Sequence, residues 1–221
     1  MYQYTPASSG SFYRWNATTQ AFMPASSFPD GTFASQSYSL LAYNGTRYLA
    51  VAPSGINSRA AVSVDGVNFT GASTALGAAC AMTHLPISRL YTVGGKFIAF
   101  GYDTTGNIAI LTSTDASAWS LAATYRLPLP AGCTIQLVGQ TGIEEGGMLH
   151  VPVILRRDTA YLPTILSTSD GIAWRLHAHG YELATAPAYC ELMLQPNGRL
   201  LVCGAPIETD VDNGLELYYE L

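Results

Sequence analysis

Gly94-Gly95-Lys96-Phe97-Ile98-Ala99-Phe100-Gly101, with Ser113-Thr114-Asp115-Ala116-Ser117-Ala118-Trp119 close behind it, decides how this chain folds. The glycine pair permits the positive φ of a tight hairpin turn. The apolar run after it therefore reads as a strand returning along the one before. Strands are expected over residues 88–93, 96–101, 108–113 and 119–123. The last two are joined by the Asp115 turn, where Asp and Ser side chains take hydrogen bonds from turn amides. The ring at Trp119 ends that turn and is suited to pack into a core.

The same two signals recur. Turn dipeptides followed by apolar runs stand at Asn44-Gly45, Gly94-Gly95, Gly146-Gly147 and Asn197-Gly198, and their second glycines are 50, 52 and 51 residues apart. The second signal follows the first three as Ser63-Val64-Asp65-Gly66-Val67-Asn68-Phe69, as Ser113 to Trp119, and as Thr168-Ser169-Asp170-Gly171-Ile172-Ala173-Trp174. The shared pattern is Ser/Thr-x-Asp-Gly/Ala-x-x-aromatic, with a fainter copy from Asn16 to Phe22. Two markers keeping one period identify a repeat. Four-stranded units of about 40–50 residues, arranged radially, are propeller blades. The chain is therefore expected to be all-β, a β-propeller of about four four-stranded blades in a single domain over 1–221. The repeat units are 37–80, 81–130, 131–182, and 183–221 plus 1–24. The last unit has no box turn of its own, so the N-terminal segment is expected to close the ring by completing it.

The Asp turn resembles the Asp-box of sialidase-type and BNR-repeat propellers, Ser-x-Asp-x-Gly-x-Thr-Trp, with one residue fewer between Asp and the aromatic. It is closer to the Ser-x-Asp-Gly-x-x-Trp form of propeller repeats in bacterial and phage proteins. The resemblance covers about residues 37–221. It implies a propeller in which the box is a structural hairpin away from the ligand site, without a catalytic role. The box residues are Ser63, Asp65 and Phe69; Ser113, Asp115 and Trp119; and Thr168, Asp170 and Trp174.

Composition removes several classes. The net charge is −5, and Lys96 is the one lysine beside nine arginines, so there is no basic stripe for phosphates and nucleic-acid binding is not expected. No apolar run reaches the ~20 residues of a membrane helix, so no membrane insertion is expected. Met1 to Pro6 has neither the basic start nor the apolar stretch of a secretion signal, so no signal peptide is expected. Cys80, Cys133, Cys190 and Cys203 form no C-x-x-C pair and read as free thiols, mostly buried.

Catalytic signals are sparse. Tyr125-Arg126-Leu127-Pro128 resembles the Arg-Ile-Pro motif of sialidases, in which an arginine grips a carboxylate bidentately. Prolines also precede other units at Pro29, Pro86 and Pro187, so a loop leading into a blade accounts for it more simply. A glycosidase needs two placed carboxyls. Glu182 lies in a link between units and Glu144-Glu145 reads as a solvated tip. His177-Ala178-His179 puts two imidazoles on one strand face. Without a third ligand they read as ordinary strand side chains, and neither a metal nor a cofactor is expected. His84 and His150 read as structural.

Strand alternation sends the glycine turns and box turns to one end of each sheet, and the longer connections to the other, among them the loops expected at Pro53–Arg59, Asp103–Asn107, Arg156–Tyr161 and Pro206–Gly214. Variable connections on a rigid scaffold are where recognition occurs. Arg126, Arg156, Arg157, Tyr161, His179 and Tyr181 are the expected ligand- or partner-binding residues. The function expected is a non-enzymatic structural or attachment module of a bacteriophage virion, in its tail or fibre. It would be multimeric, with other virion proteins or a host cell-surface glycan as partners. The alternatives are a carbohydrate-binding lectin propeller and a sialidase-like glycoside hydrolase.

Overall fold

The computed structural model describes residues 2–5, 11–16, 21–24, 40–52, 59–72, 87–102, 108–121, 127–177, 182–187, 190–194, 200–204 and 215–219. Every regular element among them is a strand. The chain divides into two compact units, Met1–Ala123 and Thr124–Leu221.

The first unit holds three sheets. β1 (Tyr2–Thr5), β2 (Ser11–Asn16) and β3 (Ala21–Pro24) pair in that order. β4 (Leu40–Tyr43), β5 (Tyr48–Ala52), β6 (Arg59–Ser63) and β7 (Thr70–Ala72) form a four-stranded meander. β8 (Ile87–Val93), β9 (Lys96–Tyr102), β10 (Ile108–Ser113) and β11 (Ser120–Leu121) form another. The N-terminal segment supplies the three strands of the first of these sheets. Tyr2–Thr5, which carries no repeat marker, supplies the partner for one edge of β2.

β9 explains why the meander cannot stand alone. Phe97, Ile98, Ala99 and Phe100 are consecutive, so they point to alternate faces, and all four are buried. Full burial of each large side chain contributes about 1.5–3 kcal/mol. Both faces of β9 are therefore covered. On one side Leu49, Val51 and Ala60 of the β4–β7 sheet join Phe97, Ala99, Leu111 and Trp119 in a single cluster.

The second unit holds two sheets. β12 (Cys133–Val138) and β13 (Ile143–Glu145) both pair with β14 (Met148–Arg157), which pairs with β15 (Ala160–Thr168) and then β16 (Arg175–Leu176). β17 (Glu191–Leu194), β18 (Leu200–Gly204) and β19 (Leu215–Tyr219) form the other. The break between β12 and β13 faces Pro152. A proline lacks the N–H that a central strand needs, so its partner strand gives way there. Gly139 bridges the gap by donating its N–H to the Pro152 carbonyl at 2.9 Å. A Cβ at Gly139 would come within 2.4 Å of the Cys190 carbonyl oxygen, which is why no larger residue fits.

β14 and β15 are longer than expected. The stretch 156–161 read as a loop is instead the tip of their hairpin, with Arg156 paired to Tyr161 and Arg157 to Ala160. Only Asp158 and Thr159 lie between the strands, and Asp158 takes φ +54°, a conformation that Asp tolerates better than most residues.

One side chain ties neighbouring sheets in the first unit. Asn44 donates its amide to the carbonyls of Gly95 and Thr114, both at 2.9 Å. Its Oδ1 accepts from the Thr46 and Arg47 amides and the Thr46 hydroxyl. Asn44 is buried, so truncation strands two carbonyls and two amides. Asn44→Ala is expected to lower the free energy of unfolding by about 2 kcal/mol in urea titrations; a change under about 0.5 kcal/mol would show that water replaces these bonds.

Candidate functional site

The two ends of the sheets differ in chemistry. At the box end, side chains are consumed by the turns themselves. In the first box the Ser63 hydroxyl accepts from the Gly66 amide at 2.9 Å, and Asp65 Oδ1 accepts from Val67 and Asn68, both at 2.8 Å. Ser113 and Asp115 repeat this with Ala116, Ser117 and Ala118. Thr168 and Asp170 repeat it with Gly171, Ile172 and Ala173. The residue after each Asp has a positive φ: +70° at Gly66, +62° at Ala116 and +76° at Gly171. The indole N–H of Trp119 closes its own turn on the Ala116 carbonyl at 3.1 Å, and Trp174 does the same on Gly171 at 3.2 Å. Phe69 and Trp119 are buried.

These amides stabilise the charged carboxylates. Hydrogen bonds from Asn68 and Val67 hold Asp65 far below the ordinary carboxylate range, and those from Ala118 and Ser117 lower Asp115. With the bonds already taken, the boxes have little capacity left for a ligand.

The other end of the second unit carries partly exposed polar groups. The β14–β15 tip presents Arg156, exposed, with Tyr161 directly across from it. Arg156 Nε donates to the Asp158 carbonyl at 3.1 Å, which fixes one edge of the guanidinium over the turn. Arg157 forms an ion pair with Glu182. The side chains of that pair keep 40% and 51% of their exposure, so it adds at most about 1 kcal/mol to stability. Its effect is positional, because Leu183 then forms a two-way backbone bridge with Tyr161 at 2.8 Å. Arg156, Arg157, Tyr161 and Glu182 are thus gathered at one tip. Of the other residues expected to bind, Arg126, His179 and Tyr181 lie outside the described residues. So does the sialidase-like reading of Arg126.

Sequence reasoning missed two features. Glu145 is not a solvated tip: it belongs to β13, and its Oε2 is buried without a hydrogen-bond partner. His150 does not stand alone. Its Nδ1 lies 2.7 Å from the Ser167 hydroxyl, which lies 2.8 Å from Nε2 of His177. The register of β14 against β15 makes this contact, and no motif announces it. Cys190 is a buried free thiol and Cys133 a half-buried one. Among the described residues no cluster of three His, Cys, Asp or Glu is placed to hold a metal.

No protein-family model and no curated protein sequence matches the chain. Solved structures do match in fold. Trypanosoma rangeli sialidase superposes with a TM-score of 0.54 at 12% identity, over 94% of this chain and 38% of that one. A triple arginine-to-alanine mutant of AofleA from Arthrobotrys oligospora gives 0.54 at 13% identity, over 96% of this chain and 62% of that one. The β-propeller domain of the Trilobed protease from Pyrococcus furiosus gives 0.47 at 10% identity, over 99% of this chain and 63% of that one. The chain is all-β with a β-propeller fold. It spans less than two thirds of the length of each of these three structures.

The lowered carboxylates set a sign. A group whose folded pKa is depressed contributes stability above its ordinary pKa of 3.8, and that contribution is lost as the pH falls through the folded value. Urea unfolding between pH 5 and pH 2.5 is expected to show stability falling with pH. Asp65→Asn and Asp115→Asn, each less stable at pH 5, should flatten that fall. An unchanged slope in both variants would remove the boxes as its source.

Proposed function

We propose that the chain is a non-catalytic attachment module that recognises carbohydrate through the sheet ends opposite its box turns. The observation that carries this is the β14–β15 tip. It presents guanidinium donors at Arg156 and Arg157, the carboxylate of Glu182 and the ring of Tyr161, while the box end is occupied by its own hydrogen bonds. Sugar hydroxyls both donate and accept, so they suit a site holding arginine donors and a carboxylate acceptor. A tyrosine ring supplies a flat apolar surface for a sugar face. The shared fold with a sialidase is consistent with carbohydrate as the ligand class. The setting we propose is a multimeric one, in the tail or fibre of a bacteriophage virion. Its partners there are other virion proteins or a host cell-surface glycan. The support for that setting is the box form that resembles phage repeat propellers.

Glycan-array binding with the whole chain tests the reading. Arg156→Ala is expected to weaken binding about ten-fold or more, a loss of about 1.4 kcal/mol, with urea unfolding unchanged. Tyr161→Ala is expected to weaken binding similarly and also to lower stability, because that ring packs against Ile154, Ile165, Cys190 and Leu192. Binding indifferent to both substitutions would move the site elsewhere. Hydrolysis of a fluorogenic sialoside by the chain would replace the non-catalytic reading with a sialidase-like one.

A further inference from the structure

A polar row crosses the sheet of the second unit at its box end. Ile143 is paired with His150, His150 with Ser167, and Ser167 with Arg175. Residues directly opposite share a face, and so do residues two apart on one strand. Glu145, His150, Ser167, Arg175 and His177 therefore lie on one face of four adjacent strands. His150 is 4% exposed and Ser167 1%. The His177 backbone is held as well: its N–H donates to the Ile165 carbonyl at 2.9 Å, and its carbonyl accepts from the Thr164 hydroxyl at 2.6 Å.

Counting protons on the bridge shows what it tolerates. Ser167 has one hydroxyl proton between two ring nitrogens. With both rings neutral, one N–H donates to the hydroxyl and the hydroxyl donates to the other ring. With one ring protonated the same two bonds survive. With both protonated, each ring nitrogen donates to the hydroxyl oxygen, and the hydroxyl proton has no acceptor between them. Two cations then stand with ring centroids 6.3 Å apart, beside the Arg175 guanidinium on the same face.

We propose that Glu145, His150, Ser167 and His177 form an acid-sensing latch, in which the second proton taken up sets two cations against each other across the serine bridge and frees β16 from β15. Charges on the neighbouring elements act on both rings. Beyond burial, His177 opposes a proton on His150 while Glu145 on β13 favours one, and Arg175 on β16 opposes one on His177. Glu144 lies on the opposite face of β13. Glu191 on β17 is engaged by the Gln140 and Thr141 amides and the Thr141 hydroxyl. Asp170 is engaged by its box. β16 is only Arg175–Leu176, so beyond its short pairing with β15 it is held chiefly through His177. The strand that yields is the short one.

Burial pushes both imidazoles below their ordinary pKa of 6.5. The stability they contribute is whole above 6.5 and is lost as the pH falls from there toward the folded-state values, because the unfolded chain binds the extra protons. The test is imidazole titration by NMR on the whole chain, with Trp174 fluorescence and urea unfolding from pH 7.5 to 5. His150 and His177 are expected to titrate below 6.5, with the Trp174 signal following the later of the two. The unfolding constant should rise by up to about ten-fold per pH unit for each proton taken up. His150→Asn and His177→Gln place amides where Nδ1 and Nε2 stand and cannot titrate, so the double variant should lose that dependence. Either ring titrating at or above 6.5, or a folded double variant keeping the wild-type slope, would overturn the latch.

Discussion

A strand buried on both faces has to be covered on both faces, and the rest of this structure follows from that constraint. Residues 97–100 of β9 and 149–155 of β14 are buried without interruption. Such strands cannot lie in a sheet with one wet side, as most antiparallel meanders do. They need sheets stacked face to face, and a chain of similar short sheets supplies that cover repeatedly. The outer strands β11 and β16, two residues each, are short because they stand at the edge of this arrangement.

Stacking brings turns into places where water cannot satisfy every amide. The box meets that need locally. One hydroxyl and one carboxylate oxygen take four consecutive turn amides, and at Phe69 and Trp119 the following aromatic inserts into the core. Asn44 performs the same office between sheets. The outcome is an asymmetric molecule within each unit. One end is closed by its own hydrogen bonds. At the other, the β14–β15 tip leaves Arg156 exposed beside the Arg157–Glu182 ion pair.

The repeat was legible because its markers answer to local rules. A glycine pair before an apolar run, and a Ser/Thr–Asp turn before an aromatic, are readable without knowing any long-range contact. β10 begins and ends where the pattern placed it, at Ile108 and Ser113. The features that escaped depend on partners distant in sequence. β1 is a strand because β2 lies beside it, and nothing in Tyr2–Thr5 repeats. The division of β12 from β13 follows from Pro152, which a periodic reading took as one more residue in an apolar run. The β14–β15 tip looked like a loop because Arg156, Arg157 and Asp158 are polar, yet polar residues at a projecting hairpin remain strand. The His150–Ser167–His177 row was hidden for the same reason: register alone brings those residues together.

Native-state amide hydrogen exchange tests the double-faced burial most directly. The account predicts that amides of β9, β10, β14 and β15 exchange only through global unfolding of their unit, while those of β11 and β16 exchange earlier through local opening. Exchange of the inner strands at the rates of the short outer ones would mean that the sheets are not covered on both sides, and would contradict the account.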